Sequence, residues 1–271
     1  MIRVVLSADL HYHVRSRPAL ERFAQEVERE RPDCFVLAGD IGHPLSNFQR
    51  ALSLFAGLSC PKLALAGNHD VWSGEHDSQS LWDHLLEEAA RQVGFVWLDR
   101  ETFHLGSLGI CGTLGWYDYS ARDPSVPLVL HDYYINKGMF NNDGNYIDWN
   151  ATDEEFAARV LHAFTARLGN LCHDPAITQI LVATHVPPFI ENLDRRPGDL
   201  GWSFGNAYFG NLTLGQAILR CPKVTHVVSG HTHRGGVWSI AAPHGVVESH
   251  VVGSDYGRPA YIVLEFPWIV V

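Results

Sequence analysis

Residues 34–70 read CFVLAGDIGHPLSNFQRALSLFAGLSCPKLALAGNHD. Two short apolar runs, CFVLAG at 34–39 and KLALAG at 62–67, bracket a segment in which Phe48, Ala51, Leu52 and Phe55 recur at helical spacing. Ser46 is a residue type suited to cap that helix. Strand, helix, strand in this order predicts two parallel strands, because a parallel pair needs a long crossover and a helix supplies it.

The alternation continues in both directions. IRVVLSA (2–8) reads as a buried strand, and Leu20, Phe23 and Val27 follow on one helical stripe. Pro18 suits the first turn of that helix, and Arg31 before Pro32 ends it. On the far side, SLWDHLLEEAARQV reads as a helix closed by Gly94, and FVWL (95–98) as a fourth strand. The order βαβαβαβ predicts a largely parallel sheet covered by helices.

The remainder is less regular. GICGT (109–113), AITQILVATH (176–185), VTHVVSG (224–230), GVWSI, VVESHVV and YIVLEF read as strands. Thr152 with Glu155 is a capping-box pattern that opens the helix TDEEFAARVLHAFTARL. Two segments, 114–151 and 186–211, lack a clear period and are rich in aromatics. Loops this long in a compact domain are functional or disordered, and the aromatic content argues against disorder. Trp116 and Tyr117 follow a strand, and Arg195 and Arg196 follow His185-Val186-Pro187-Pro188, so all four are candidate substrate contacts. The aromatics either stack on a base or pack as a cap on the core. With no repeat and no linker, residues 1–271 read as one domain in which these segments form a substrate cap.

Composition bounds the function. The chain has 30 acidic and 20 basic side chains, a formal net charge of −10, and 16 His. That balance argues against a broad nucleic-acid-binding face. No apolar run reaches the ~18 residues of a membrane span, and the opening MIRVVLSAD lacks the order of a signal peptide. Cys34, Cys60, Cys111, Cys172 and Cys221 are scattered, which predicts neither a disulfide scaffold nor a cysteine zinc module, and fits a reducing cytoplasm. The C-terminal Pro267-Trp268-Ile269-Val270-Val271 is apolar, as for packing on the domain or on a partner.

The chemistry lies where the apolar runs stop. They end in Asp9-Leu10-His11, Gly39-Asp40, Gly67-Asn68-His69-Asp70, Thr184-His185 and Gly230-His231-Thr232-His233. Each motif is common by itself. Together they sit at the carboxyl ends of strands, where open α/β sheets bind their ligands. Carboxylate, imidazole and amide oxygen form a mixed donor set suited to Mn, Fe or Zn. The D-x-H and H-x-H spacings put two side chains on the same side of an extended segment.

This ordered set resembles the calcineurin-like metallophosphoesterase superfamily, over about residues 2–240. The resemblance implies a four-layer α/β/β/α sandwich with mixed sheets and two metal ions at one end. It implies that Asp9, His11, Asp40 and His233 hold the first ion, and that Asp40, Asn68, His185 and His231 hold the second. Asp40 then bridges, His69 is the catalytic histidine, and Asp70 orients it. The implied reaction is hydrolysis of a P–O bond by a metal-bridging hydroxide. The chemistry agrees, because two ions ~3.5–4 Å apart polarise both attacking and leaving oxygens of an in-line displacement. A protonated His69 can donate to the leaving oxygen, and Asn68 adds an oxygen without adding charge.

Departures from subfamily patterns narrow the substrate. Phosphoprotein phosphatases of the family carry Asp-Arg-Gly soon after the second motif and Gly-Asn-His-Glu in the third. Here the motifs run Gly39-Asp40-Ile41-Gly42-His43 and Gly67-Asn68-His69-Asp70. Purple acid phosphatases place a Tyr three residues after the bridging Asp, where His43 stands. His43 is similar to the residue at this place in repair-type nucleases and some phosphodiesterases, or else is a polar residue near a helix start. The expected substrate is a small phosphodiester or nucleotide, with a phosphomonoester as the alternative. An inactive scaffold is disfavoured, because every matched position is filled.

Overall fold

The carboxyl ends of the strands line up because their registers do. A computed structural model of the chain describes residues 1–268. Strands β1 (Ile2–Ser7), β2 (Cys34–Ala38), β3 (Lys62–Leu65) and β4 (Phe95–Trp97) pair in parallel in that order. They are joined by α1 (Arg17–Arg29), by α2 (Leu45–Ser53), and by a helical run of α3 (Ser78–Ser80), a π turn over Leu81–Leu85 and α4 (Leu86–Gln92). Ser7 lies opposite Leu37 and Ala38 opposite Leu65, so Asp9, Asp40 and Asn68 emerge side by side.

A second sheet contains β5 (Phe103–Leu105), β6 (Leu108–Thr113), β7 (Gln179–Thr184), β8 (Val224–Ser229), β9 (Gly236–Ala242) and β10 (Gly245–Val251). Its order is β5-β6-β7-β8-β10-β9, with the outer strand on each edge antiparallel to its neighbour. The last strand, β11 (Tyr261–Phe266), returns to the first sheet and runs antiparallel to β1. The second half also holds α5 (Leu130–Phe140), α6 (Asp143–Tyr146), α7 (Asp153–His173), α8 (Leu200–Phe209) and α9 (Leu212–Ile218).

The period of two along each strand sorts the side chains into layers. Val4, Leu6, Val36, Leu63 and Leu65 meet Ile110, Leu181, Ala183 and Val228 between the two sheets. Val5, Phe35, Leu37 and Ala64 point the other way, onto Leu20, Phe23 and Val27 of α1 and Phe48 and Leu52 of α2. Val182 and Val227 pack under Phe164 and Leu168 of α7 and Ile218 of α9. The result is the expected four-layer α/β/β/α sandwich. Each fully buried large aliphatic side chain in it contributes roughly 1.5–3 kcal/mol.

Several local readings hold. Leu20, Phe23 and Val27 form the buried stripe of α1, with Pro18 in its first turn. Thr152 and Glu155 close a reciprocal capping box, Glu155 N–H to Thr152 Oγ1 at 3.2 Å and Thr152 N–H to Glu155 Oε2 at 2.9 Å. Others need correction. The N-cap of α2 is Pro44, without a side-chain bond, and Ser46 lies inside the first turn. The segments at 114–151 and 186–211 contain α5, α6, α8 and a 3-10 turn at Ile190–Asn192. Cys172 is paired with Cys221, with 6.0 Å between Cα atoms, where no disulfide was expected; it is one link between the end of α7 and the approach to β8. Among the described residues no helix is long and apolar enough to cross a membrane. Of the apolar C-terminal run, residues 269–271 lie outside the described residues.

Candidate metal centre

The backbone at the strand ends is bent in an unusual way. Asp9, His11, Asp40, His231 and His233 all have positive φ, between 41° and 71°. Non-glycine residues in this left-handed region cost of order 1–3 kcal/mol each, and such residues cluster at functional sites. The glycines beside them make room. Gly39 has φ +87°, and a Cβ there would come within 2.6 Å of His185 Nδ1. At Gly67 a Cβ would land on the Asp40 carboxylate.

Three overlapping groups bring their ligand atoms within 4.8 Å of one another: Asp9, His11 and His233; His11, Asp40 and His69; Asp9, Asp40 and His185. Asp40 is the common element. Its Oδ1 lies 3.4 Å from His185 Nε2, and its Oδ2 lies 3.5 Å from His11 Nε2 and 3.8 Å from His69 Nε2. Asp9 accepts the His231 amide on both oxygens at 3.0 Å. His11 and His233 face each other with Nε2 atoms 3.3 Å apart. Asn68 Oδ1 sits 3.0 Å from both His185 Nε2 and His231 Nδ1. Asp9, Asp40, Asn68 and His185 are buried, and His233 is half-buried.

The hydrogen bonds on the far side of each ring decide what these atoms can hold. His185 Nδ1 faces the Ala38 carbonyl at 3.0 Å, His231 Nε2 the Tyr208 carbonyl at 3.0 Å, and His233 Nδ1 the Ser254 carbonyl at 2.9 Å. A carbonyl only accepts, so each of these nitrogens carries the proton. Asn68 Nδ2 donates to Asp143 Oδ1 at 2.9 Å, which assigns the amide oxygen to the site side. His231 is held neutral, since burial and then His185 push it down to about 4. Its bare Nδ1 therefore faces the Asn68 oxygen, acceptor to acceptor, with no proton between them. A cation at that point satisfies both, and the far-side carbonyls are the usual orienting partners of metal-bound histidines. The donor set thus fits a pair of metal ions.

Charge tells the same story. Burial works against the Asp40 carboxylate, but His185, His69 and His11 hold it well below its ordinary value. Burial likewise opposes the His185 imidazolium, yet Asp40 lifts it to about 10. Burial pushes His11 down to about 3, leaving a neutral ring ready to ligate, and raises Asp9 to about 6.

His69 sits at the open side of the cluster. Its amide donates to Asp40 Oδ1 at 2.9 Å, and its side chain is 22% exposed. The ring stacks on Trp72 at 3.8 Å, and Trp72 stacks on Tyr146 at 4.6 Å. The expected bond from Asp70 to His69 is not made. The Asp70 oxygens accept the amides of Gly42 and Gly67, both at 2.8 Å, so this carboxyl ties two ligand-bearing loops together. Burial lifts it to about 7, chiefly by desolvation and then by Asp40. His43 lies half-buried beside Trp72, its ring 6.0 Å away, and burial and then His69 lower its pKa.

The expected substrate contacts are placed otherwise. Trp116 and Tyr117 are fully buried. Trp116 Nε1 donates to Asp153 at 2.7 Å and the Tyr117 hydroxyl to Asp143 at 2.9 Å, so these rings are core with their polar ends satisfied. Arg195 approaches Asp123 at 4.0 Å, and Arg196 lies 4.3 Å over the Trp202 ring. Two residues at the site carry no sequence motif. Asp143 bonds Asn68 and Trp72, and Tyr256 stacks on the His11 ring at 4.3 Å. Both come from segments distant in the chain, so local spacing gives no signal for them.

Comparison with known proteins bears on the whole chain. A family model described as calcineurin-like phosphoesterase matches residues 2–235. Three solved structures share the fold. A phosphopantetheinyl hydrolase from Mycobacterium tuberculosis has 17% identity and a TM-score of 0.74, over 94% of this chain and 90% of that one. A dimetal phosphatase from Danio rerio has 18% identity and a TM-score of 0.54, over 97% and 91%. A protein from Thermus thermophilus has 12% identity and a TM-score of 0.55, over 93% and 89%. No curated protein sequence matches the chain.

Proposed function

This chain belongs to the calcineurin-like phosphoesterase family, a family of metal-dependent phosphoester hydrolases, and from that premise we propose that it cleaves a small phosphodiester or nucleotide at a dinuclear centre. In this reading Asp9, His11, Asp40 and His233 hold one ion, and Asp40, Asn68, His185 and His231 the other, with Mn, Fe or Zn as candidates. The observation that carries it is Asn68 Oδ1 facing the bare His231 Nδ1 at 3.0 Å, two acceptors that a cation between them reconciles, with His185 Nε2 3.0 Å from the same oxygen.

When bound, the ion pair neutralises phosphate charge and activates water for in-line attack. The chain supplies the rest. Asp40 touches both ligand sets and keeps them in register. His69, at the open side with Nε2 turned toward Asp40, is the group placed to give a proton to the leaving oxygen. Trp72 keeps the His69 ring flat against it, so the proton is delivered along one direction. The buried walls around Asp9, Asn68 and His185 exclude bulk water and strengthen each charge interaction.

A diester is favoured over a monoester by the state of the arginines. Arg195 pairs with Asp123, and Arg234, next to His233, pairs with Asp194. A doubly charged monoester gains from an unpaired cation beside the ions, whereas Arg195 already has Asp123 as a partner and Arg234 and Arg196 share Asp194. The net charge of −10 favours a small substrate over a nucleic acid.

The test is direct. Protein prepared without chelator is assayed for metal, then given Mn²⁺ with para-nitrophenyl phosphate or its bis ester. Two ions per chain and faster turnover of the bis ester are expected. No metal uptake, with neither ester cleaved, rules the proposal out; faster turnover of the monoester replaces the diester reading with the phosphatase one. A nucleotide and a phosphopantetheinyl ester complete the panel, the latter because a hydrolase of that group shares the fold.

A further inference from the structure

One buried carboxylate behind the centre has no part in the chemistry above. Asp143 opens α6 and is fully buried. Its Oδ1 accepts two hydrogen bonds, from Asn68 Nδ2 at 2.9 Å and from Trp72 Nε1 at 2.6 Å. Its Oδ2 accepts the Tyr117 hydroxyl at 2.9 Å, and its amide donates to Asn141 Oδ1 at 2.8 Å. Asp143 is thus fixed by its own segment and, in turn, holds two side chains from the first sheet.

These two side chains do different work. Asn68 has an amide with an acceptor end and a donor end of nearly equal size. The bond to Asp143 occupies the donor end, so the acceptor end is the one that faces His185 and His231. With the amide turned over, two N–H groups would face the site and repel a cation. Trp72 is pinned on the same Asp143 oxygen, and its ring lies 3.8 Å from the His69 ring. One carboxylate oxygen therefore sets both the orientation of an amide ligand and the platform under His69.

We infer that Asp143 is a positioning residue that selects the oxygen of Asn68 for the inner metal ion and steadies His69 through Trp72. The 114–151 segment then supports the centre from behind through this contact. The inference rests on the metal reading given under Proposed function.

Metal-free protein is titrated with Mn²⁺ by calorimetry, while electron paramagnetic resonance follows the signal of the coupled ion pair. Asp143→Leu keeps the bulk but removes both acceptor oxygens, and Asp143→Ala removes the oxygens and the bulk together. Wild type takes two ions. In the folded variants one ion binds as in wild type, the second binds about 10–100-fold more weakly, and the coupled signal is lost at two equivalents. Two ions at wild-type affinity with the coupled signal intact overturn the inference. So does failure of both variants to fold, which makes Asp143 part of the scaffold and not of the site. A wild type that takes up no Mn²⁺ removes the metal reading itself, and that result is distinct from a change confined to the variants.

Discussion

The two proposed ligand sets share Asp40 but are held in different ways. The inner set, Asn68, His185 and His231, is buried, and every member is fixed from behind: by Asp143, by the Ala38 carbonyl and by the Tyr208 carbonyl. In the outer set His233 is half-buried and leans on the Ser254 carbonyl. His11 is positioned mainly by rings: His233 stacked at 5.1 Å, Tyr256 stacked at 4.3 Å and His69 edge-on at 4.7 Å. The inner donors are ordered by folding, before any ion arrives, so an ion there bears less of the ordering cost. In the outer set Asp9 and His11 are as buried as His231, and the opening toward a substrate is at the half-buried His233.

The largest effect comes from the residue that belongs to both sets. Asp40→Ala removes the carboxylate contacted by His11, His69 and His185, and two ions are lost together in metal analysis. Turnover falls by more than the roughly 10²–10⁴-fold that one general acid contributes. Retention of one tight ion would mean that the sets are independent and that Asp40 does not bridge. His69→Ala comes next. Turnover falls by about 10²–10⁴-fold while both ions stay. Loss of an ion in that variant would move His69 into the outer set, where its proximity to His11 and Asp40 makes it a candidate ligand.

The asymmetry itself is tested by a matched pair. His185→Ala leaves a cavity in a fully buried site and removes an inner donor. Its thermal unfolding should show a loss of about 2–5 kcal/mol, the range for large-to-small core substitutions, together with loss of the inner ion. His233→Ala, at a half-buried position, costs less stability and only the outer ion. The reverse order of stability losses would break the distinction between a prefolded inner set and a looser outer one.

How far this was legible in the sequence follows from the same contrast. All the proposed ligands stand at the ends of apolar runs, and a strand end is a local signal. The partners that hold them are not local. Asp143 is 75 residues from Asn68, and only packing brings the two together. Trp116 and Tyr117 follow β6 directly, which suggested a mouth position. Asp153 and Asp143 give their polar ends buried partners, so both rings enter the core. Helix α5 leaves Tyr134, Ile135 and Met139 exposed, so its apolar residues trace no single stripe for a period of 3.6 to reveal. Helix α8 carries Gly201 and Gly205, poor helix formers that hide it from propensity. Ser46 is a good cap type, but Pro44 precedes the helix and takes the cap position. Asp70 stands beside His69 in the chain, yet its oxygens meet two backbone amides, and adjacency in sequence did not decide the contact.

The smallest effect is expected at Tyr256, and it probes the outer set alone. The side chain is 57% exposed, yet its ring stacks on His11 at 4.3 Å and on His233 at 5.3 Å. Burial, Asp40 and Asp9 raise its hydroxyl to about 12, so it is neutral near pH 7 and adds no charge to the site. Its contribution is therefore the ring face. An aromatic pair contributes about 0.5–1.5 kcal/mol beyond area burial. At 1.4 kcal/mol per factor of ten, that corresponds to roughly 2–10-fold in affinity. Tyr256→Ala should weaken the outer Mn²⁺ by that amount and leave the inner ion unchanged, while Tyr256→Phe, which keeps the ring, binds both ions as wild type does. Calorimetric titration of the three proteins separates the cases. If Tyr256→Ala weakens both ions equally, the two sets respond as one unit, coupled through the shared Asp40 and through the Asp9 carboxylate that accepts the His231 amide.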